Sequence, residues 1–292
     1  MRPHPKKLLV STVIVLCIVL AVLWLAGIFS PTPAEQPVVA TSTSPIYRVI
    51  GTSVQGRKIE SYTYGSGEKK LVFVGGIHGG YEWNSVLLAY QFMDYLNENA
   101  RIIPTSTSVT IIPSANPDGV FAVTGKVGRF VVADVSTSST VQASGRFNAN
   151  KVDLNRNFDC KWQPQSKWRD EVVSAGTSTF SEPEALAIKN FMTESKPTAV
   201  IFWHSQSNAV YASQCKDGIL PGTLALMDTY AKASGYPAVK TFDAYVTTGA
   251  ADDWLASIGI PAITVELQTH ETIEWSRNLA GIEAVLKYYG QR

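Results

Sequence analysis

Residues 70–83 read Lys70-Leu71-Val72-Phe73-Val74-Gly75-Gly76-Ile77-His78-Gly79-Gly80-Tyr81-Glu82-Trp83. Lys70 to Gly75 is an aliphatic and aromatic run closed by glycine, which predicts a buried strand. Trp83 to Asn97 predicts a helix. A strand, a glycine turn and a helix in succession open an α/β unit. At the junction stand His78 and Glu82, an imidazole and a carboxylate one turn apart, a spacing that lets both meet one metal ion.

The same alternation continues in both directions from Tyr47 onward, without an internal repeat. Val109 to Pro113, Ala199 to Trp203 and Ala262 to Leu267 predict further buried strands. Helices are expected over Glu182 to Met192, Pro221 to Ala233, Ala250 to Ser257 and Glu274 to Tyr289. Ser181-Glu182-Pro183-Glu184 has the proline and the acids of a helix start. Polar residues collect at the strand ends: His78, Asn116, His204 and, within the last strand, Glu266. In open α/β sheets that edge is where ligands bind, so one domain suffices.

The 292 residues are 45% hydrophobic and 17% charged, with a net charge of +1. Such a chain buries a full core, and no basic face announces nucleic acid. The N-terminus is different in kind. Arg2, Lys6 and Lys7 precede an apolar run from Leu8 to Phe29, long enough to cross a bilayer. Ala26 to Ser30 makes a poor cleavage site, which favours an uncleaved signal anchor; cleavage would give a secreted protein. The expected organisation is a cytoplasmic segment 1–7, a transmembrane anchor 8–29, a Pro/Ser/Thr-rich linker 30–45 and an extracytoplasmic domain 46–292. Cys17 falls in the span, leaving Cys160 and Cys215 outside it. In an oxidising compartment that pair favours a disulfide, and two buried free thiols are the alternative.

Of four histidines, His4 lies before the anchor, and His78, His204 and His270 remain. A hydrolytic zinc takes three protein ligands and leaves a position for water, which His78, Glu82 and His204 satisfy. His270 is read as a loop residue near the site and a reserve ligand.

These residues, taken with Gly51 to Ile59, Asn116-Pro117-Asp118-Gly119, Asp153-Leu154-Asn155-Arg156-Asn157-Phe158, His204-Ser205 and Thr264-Val265-Glu266-Leu267, make the chain resemble the zinc metallocarboxypeptidases. That family includes carboxypeptidases A and B and bacterial peptidoglycan peptidases. One departure is visible: the family has two residues between its first histidine and glutamate, and here there are three. Helical i,i+3 and i,i+4 pairs share a face, so chelation survives the insertion.

The resemblance implies a three-layer α/β/α fold with a mixed, mainly parallel twisted sheet and one Zn2+ per chain. It makes Glu266 the general base that activates water and then protonates the leaving amine. Asn155 and Arg156 match the clamp for the substrate's terminal carboxylate, to which a guanidinium offers two parallel donors. Arg146 is the candidate for the oxyanion, with Arg129 as the alternative. Asp153 aligns with the carboxylate that orients the first histidine. Tyr245 matches the mobile substrate-capping tyrosine. Asp252 falls at the floor of the side-chain pocket, where an acid attracts Lys, Arg or the free amine of diaminopimelate; capping of the helix near Ala250 is its other reading.

The expected activity is hydrolysis of a C-terminal peptide bond, on extracytoplasmic peptides or peptidoglycan stem peptides, by a monomer without an inhibitory propeptide. A zinc deacylase of N-acyl amino acids and a catalytically silent cell-wall peptide-binding domain are the alternatives.

Overall fold

The computed structural model describes residues 44–291, which belong to one compact unit. The expected anchor 8–29, the segment before it and nearly all of the linker lie outside the described residues. Among the described residues no helix is long and apolar enough to cross a membrane.

Among the described residues, ten strands and seven α-helices follow in chain order. The strands are β1 (Ile46–Thr52), β2 (Lys58–Tyr64), β3 (Lys69–Val74), β4 (Thr107–Ile112), β5 (Gln165–Trp168), β6 (Glu171–Ser174), β7 (Ala199–Ser205), β8 (Ala209–Ala212), β9 (Ala238–Val239) and β10 (Ala262–Leu267). The helices are α1 (Trp83–Glu98), α2 (Pro117–Thr124), α3 (Ser139–Ser144), α4 (Pro183–Ser195), α5 (Pro221–Ser234), α6 (Ala251–Ser257) and α7 (Trp275–Gly290).

Eight strands form one sheet in the order β1-β2-β4-β3-β7-β10-β8-β9, and β5 and β6 form a separate hairpin. The β4-β3-β7-β10 centre is parallel throughout. The outer strands qualify the expectation of a mainly parallel sheet, because β1/β2, β2/β4 and β8/β10 pair antiparallel. Mixed sheets of this kind place antiparallel strands at the edges, where short connections reach without a crossover helix.

Pleating divides the core in two. Leu71 and Phe73 of β3, with Ile201 and Trp203 of β7, face α1, α5 and α7. Val72 and Val74, with Val200 and Phe202, face α4 and α6. Phe73 lies 5.3 Å from Trp203 and 5.1 Å from Phe92, the second pair edge-on. Such aromatic pairs add about 0.5–1.5 kcal/mol each beyond burial.

Local chemistry sets the helix ends. The Asn116 carboxamide accepts from Gly119 N at 2.9 Å, Pro117 follows at the first helical position, and Gly125 closes α2 at φ 67°. That helix was hidden inside a motif whose capping residues were legible. At α4 the expected start holds, with Pro183 in the first turn. Glu182 and Glu184 are nevertheless spent elsewhere: both accept from Asn148 Nδ2, at 2.7 and 3.0 Å. These bonds fasten α4 to the loop that carries Arg146, Asp153, Asn155 and Arg156.

Candidate active site

Three elements at the carboxyl edge of the sheet deliver the three residues that could hold a metal ion. His78 follows β3, Glu82 ends a 3-10 turn (Gly79–Glu82) ahead of α1, and His204 is the penultimate residue of β7. Three intervening residues are accommodated because Gly79 takes φ 48° and packs against Gly119 and the Gly145 carbonyl, where a Cβ would collide. His78 Nδ1 lies 2.7 Å from Glu82 Oε1, and His204 Nδ1 lies 2.9 Å from Glu82 Oε2. The two Nδ1 atoms are 3.2 Å apart, and all three ligand atoms fall within 4.8 Å of one another. Each nitrogen can donate to its own Glu82 oxygen when protonated, and with both deprotonated the triangle presents lone pairs to a common centre. A donor set of two imidazoles and one carboxylate suits zinc.

The electrostatics agree with that geometry. Burial pushes the Glu82 carboxyl up, yet the His78 and His204 imidazoles outweigh burial and hold it well below the usual range. Asp153, fully buried, is likewise held well below its ordinary value by Arg146, Arg156 and His78. Its Oδ2 accepts from Arg146 Nε and an Arg146 terminal nitrogen, at 3.0 and 2.8 Å. Its Oδ1 stands 3.3 Å from His78 Nε2, an electrostatic contact outside hydrogen-bond alignment. Asp153 thus orients two groups of the site at once.

Glu266 of β10 is paired in register with His204 of β7, which places the two side chains on the same face of adjacent parallel strands. Its Oε2 is enclosed and has no partner among the described residues. Burial, and then the charge of Glu82, push the carboxyl up to about 7, against the opposing pull of His204. A carboxyl in that range can take and return a proton near neutral pH.

These groups border a cavity of about 500 Å³ that also receives Asn155, Arg156, Tyr245, Asp252 and Thr264. Arg156 is buried, its guanidinium donating to the carbonyls of Lys167 and Asn155. Among the described residues no carboxylate lies within ion-pair distance of it. Asn155 Oδ1 accepts from Ala251 N at 2.9 Å, joining the clamp loop to the start of α6. Gly249, at φ 71°, lies where a Cβ would strike the Arg156 carbonyl, so the loop carrying Tyr245 closes tightly over Arg156. Tyr245 packs edge-on against Phe242 at 4.9 Å.

Asp252 does not cap α6; it accepts from Thr264 Oγ1 at 3.0 Å on the cavity wall. Asp253 lies beside it, unforeseen from sequence, accepting from Gln214 N at 2.8 Å. Burial, and then the Asp252 charge, push Asp253 up to about 8. Cys160 and Cys215 are disulfide-bonded, which ties the clamp loop to this wall.

Two alternatives are removed by position. Arg129 is a surface residue bound in a fork to Asp94 at 2.7 and 2.9 Å, so of the two candidates for the oxyanion only Arg146 lines the site. His270 is outside the ligand triangle: its Nδ1 is 2.6 Å from Ser205 Oγ. Sequence reasoning also missed an aromatic wall, in which Tyr81 meets Trp168 edge-on at 5.1 Å and Arg146 lies 4.6 Å over the Trp168 ring. Trp168 reaches the site on the β5/β6 hairpin, whose Arg169-Asp170 turn lacks the Asn-Gly signature that marks such turns.

Comparison with known proteins places this geometry. A family profile described as zinc carboxypeptidase matches residues 39–280. The chain is 23% identical over 238 residues to gamma-D-glutamyl-L-diamino acid endopeptidase 1 of Lysinibacillus sphaericus, covering 75% of this chain and 59% of that one. It therefore spans about three-fifths of the length of that curated relative. The crystal structure of thrombin activatable fibrinolysis inhibitor superposes with a TM-score of 0.67 at 19% identity, over 86% of this chain and 71% of that one. Murein-tripeptide amidase of Escherichia coli O157 superposes with a TM-score of 0.58 at 22% identity, over 82% and 90%. With the profile covering most of the chain and the fold shared, this protein belongs to the zinc carboxypeptidase family.

Proposed function

We propose that the chain hydrolyses the peptide bond before a C-terminal residue, with His78, Glu82 and His204 holding one zinc ion. The observation that carries this is a single cavity with a three-ligand triangle on one side and a buried, unpaired guanidinium, Arg156, on the other. When bound, zinc supplies a Lewis acid that polarises the scissile carbonyl and makes water acidic enough to ionise near neutral pH.

The side chains divide the remaining work. Arg156 and Asn155 receive the terminal carboxylate of the substrate, the guanidinium fork already fixed by the Lys167 and Asn155 carbonyls. Arg146, locked by Asp153, directs its remaining donor toward the oxyanion. Glu266 takes a proton from the attacking water through its free Oε2 and returns it to the leaving amine. Tyr245 covers the departing residue and excludes bulk water.

Asp252, on the wall next to Asn155, favours a departing residue with a cationic side chain. The two substrate classes are peptides ending in a basic residue and peptidoglycan stem peptides cut beside diaminopimelate. A relative named for a gamma-D-glutamyl-L-diamino acid linkage supports the second. We further propose that residues 8–29 anchor the protein with its domain outside the cytoplasm. The Cys160–Cys215 disulfide supports an oxidising compartment.

The test combines zinc content with chelator-sensitive release of a C-terminal residue, comparing wild type with Glu266→Gln on both substrate classes. Wild type binding one zinc and cleaving, with the variant binding zinc and not cleaving, is the expected result. Zinc binding without turnover on either class would turn the protein into a binding domain. Failure to bind zinc would overturn the ligand assignment.

A further inference from the structure

The β5/β6 hairpin runs alongside the cleft and touches one functional group after another. The Lys167 carbonyl accepts from Arg156, which receives the terminal carboxylate in the function proposed above, on which this inference rests. One residue on, Trp168 lies under Arg146, the arginine of the scissile carbonyl. One residue further, Arg169 lines the same cavity. Lys167 thus meets Arg156, Trp168 meets Arg146 and Tyr81, and the charge of Arg169, in the turn, reaches Tyr81 and His270. That order leads away from Arg156, so Arg169 stands on the acyl side of the scissile bond.

Three observations distinguish Arg169 from an ordinary surface arginine. It makes no hydrogen bond or ion pair with the described residues, and its guanidinium lies 5.6 Å from the Trp168 ring. Its φ is 56°, an unfavourable backbone region for a non-glycine residue, so the hairpin turn fixes its direction. Its charge is also felt by Tyr81 and His270, which flank the metal ligands on the side away from Asp252.

We propose that Arg169 is a specificity-determining residue that binds a carboxylate carried by the acyl-side residue. The preferred substrate then has three charges in order. A free carboxylate on the acyl residue meets Arg169, a terminal carboxylate on the departing residue meets Arg156, and a side-chain amine on the departing residue meets Asp252. A γ-linked acidic residue, whose α-carboxylate stays free beside the scissile bond, joined to a diamino acid has this pattern. Asp170, the other turn residue, also lines the cavity and opposes the attraction.

The experiment uses two synthetic peptides with the same diamino departing residue, one with a free γ-glutamyl α-carboxylate and one with that group as the carboxamide. Wild type is expected to favour the free acid about three- to tenfold in kcat/KM, through KM, the size of a solvent-screened ion pair. Arg169→Asn keeps the turn, because Asn tolerates positive φ. It should slow only the acid substrate and abolish the preference at unchanged thermal midpoint. Asp170→Asn should widen the preference. Equal cleavage of the two peptides by wild type, or equal loss on both in Arg169→Asn, would overturn the assignment while leaving the peptidase function intact. No release from either peptide by zinc-loaded wild type would overturn both.

Discussion

Glu82 and His204 are 122 residues apart in the chain and 2.9 Å apart in the fold. The contact is made by the parallel pairing of β3 and β7, which brings the turn after one strand beside the end of the other. Glu82 also holds His78, so the carboxylate is the common member of both ligand pairs. Removing it leaves two imidazoles with no negative charge between them. Glu82→Ala should lose zinc to a competing chelator at a far lower chelator concentration than wild type. Asp153→Asn, which removes only the support behind His78 and Arg146, should weaken zinc by about 10–100-fold. The reverse order of effects would contradict the ligand set.

The acid limb of the pH profile follows from Glu266. The metal-free carboxyl stands at about 7, raised by burial and by Glu82. As a base it acts only when deprotonated, so kcat/KM should rise with pH through its pKa and then level off. A bound cation next to His204 favours the carboxylate, so the midpoint in the zinc enzyme should lie below 7. Glu266→Gln should cost about 10²–10⁴-fold and flatten that limb. A limb that survives the substitution would belong to another group.

Arg156→Lys tests the fork. Lysine keeps the charge but loses the paired donors that the Lys167 and Asn155 carbonyls now aim. A loss of about 10–100-fold in kcat/KM, carried by KM, is expected for one charge-assisted bond of the pair. Steady-state kinetics on a substrate and on its C-terminal amide would separate carboxylate recognition from a general loss, because the amide should respond little.

Asp253 predicts a stability effect with a definite sign. Its folded pKa of about 8 lies above the roughly 3.9 of an unfolded aspartate. The neutral form is favoured by the fold, so its contribution is complete below about pH 4 and is lost as pH rises toward 8. Asp253→Asn keeps an acceptor for Gln214 N and has no charge to bury. Its thermal midpoint should gain on wild type progressively across that window and most at pH 8. A gain at pH 4 instead would contradict the assignment.

The Cys160–Cys215 bond closes 55 residues and should contribute about 4 kcal/mol by restricting the unfolded chain. The Cys160 carbonyl also accepts from Gly249 N, and Phe158 N donates back to the Gly249 carbonyl. Reduction, or the double substitution to alanine, should lower the denaturation midpoint and raise KM by loosening the loop that carries Tyr245. A lower midpoint with unchanged KM would confine the bond to a structural role.

Much of this molecule was legible before any coordinates. β10 runs from Ala262 to Leu267, as its aliphatic run indicated, and α1 and α5 begin at Trp83 and Pro221, as expected. The short strands β8 and β9 escaped notice, because two to four residues carry too little periodicity to register. His78, Glu82 and His204 could be singled out because few residue types serve a hydrolytic metal and the chain has few histidines, whereas Glu266 took its role only from the family resemblance.

Sequence by itself determined the buried strands, the helix faces and the candidate metal-binding groups, since hydrophobic period and residue chemistry are local properties. The tertiary structure alone decided which remote groups meet. It sent Arg129 to Asp94 and Arg146 to Asp153, decided that Asp252 lines the cavity wall and does not cap a helix, and laid Trp168 and Arg169 along the cleft. The physical reason is that such choices depend on strand register and loop closure across a hundred residues, where two arginines with the same chemistry differ only in what the fold places opposite them.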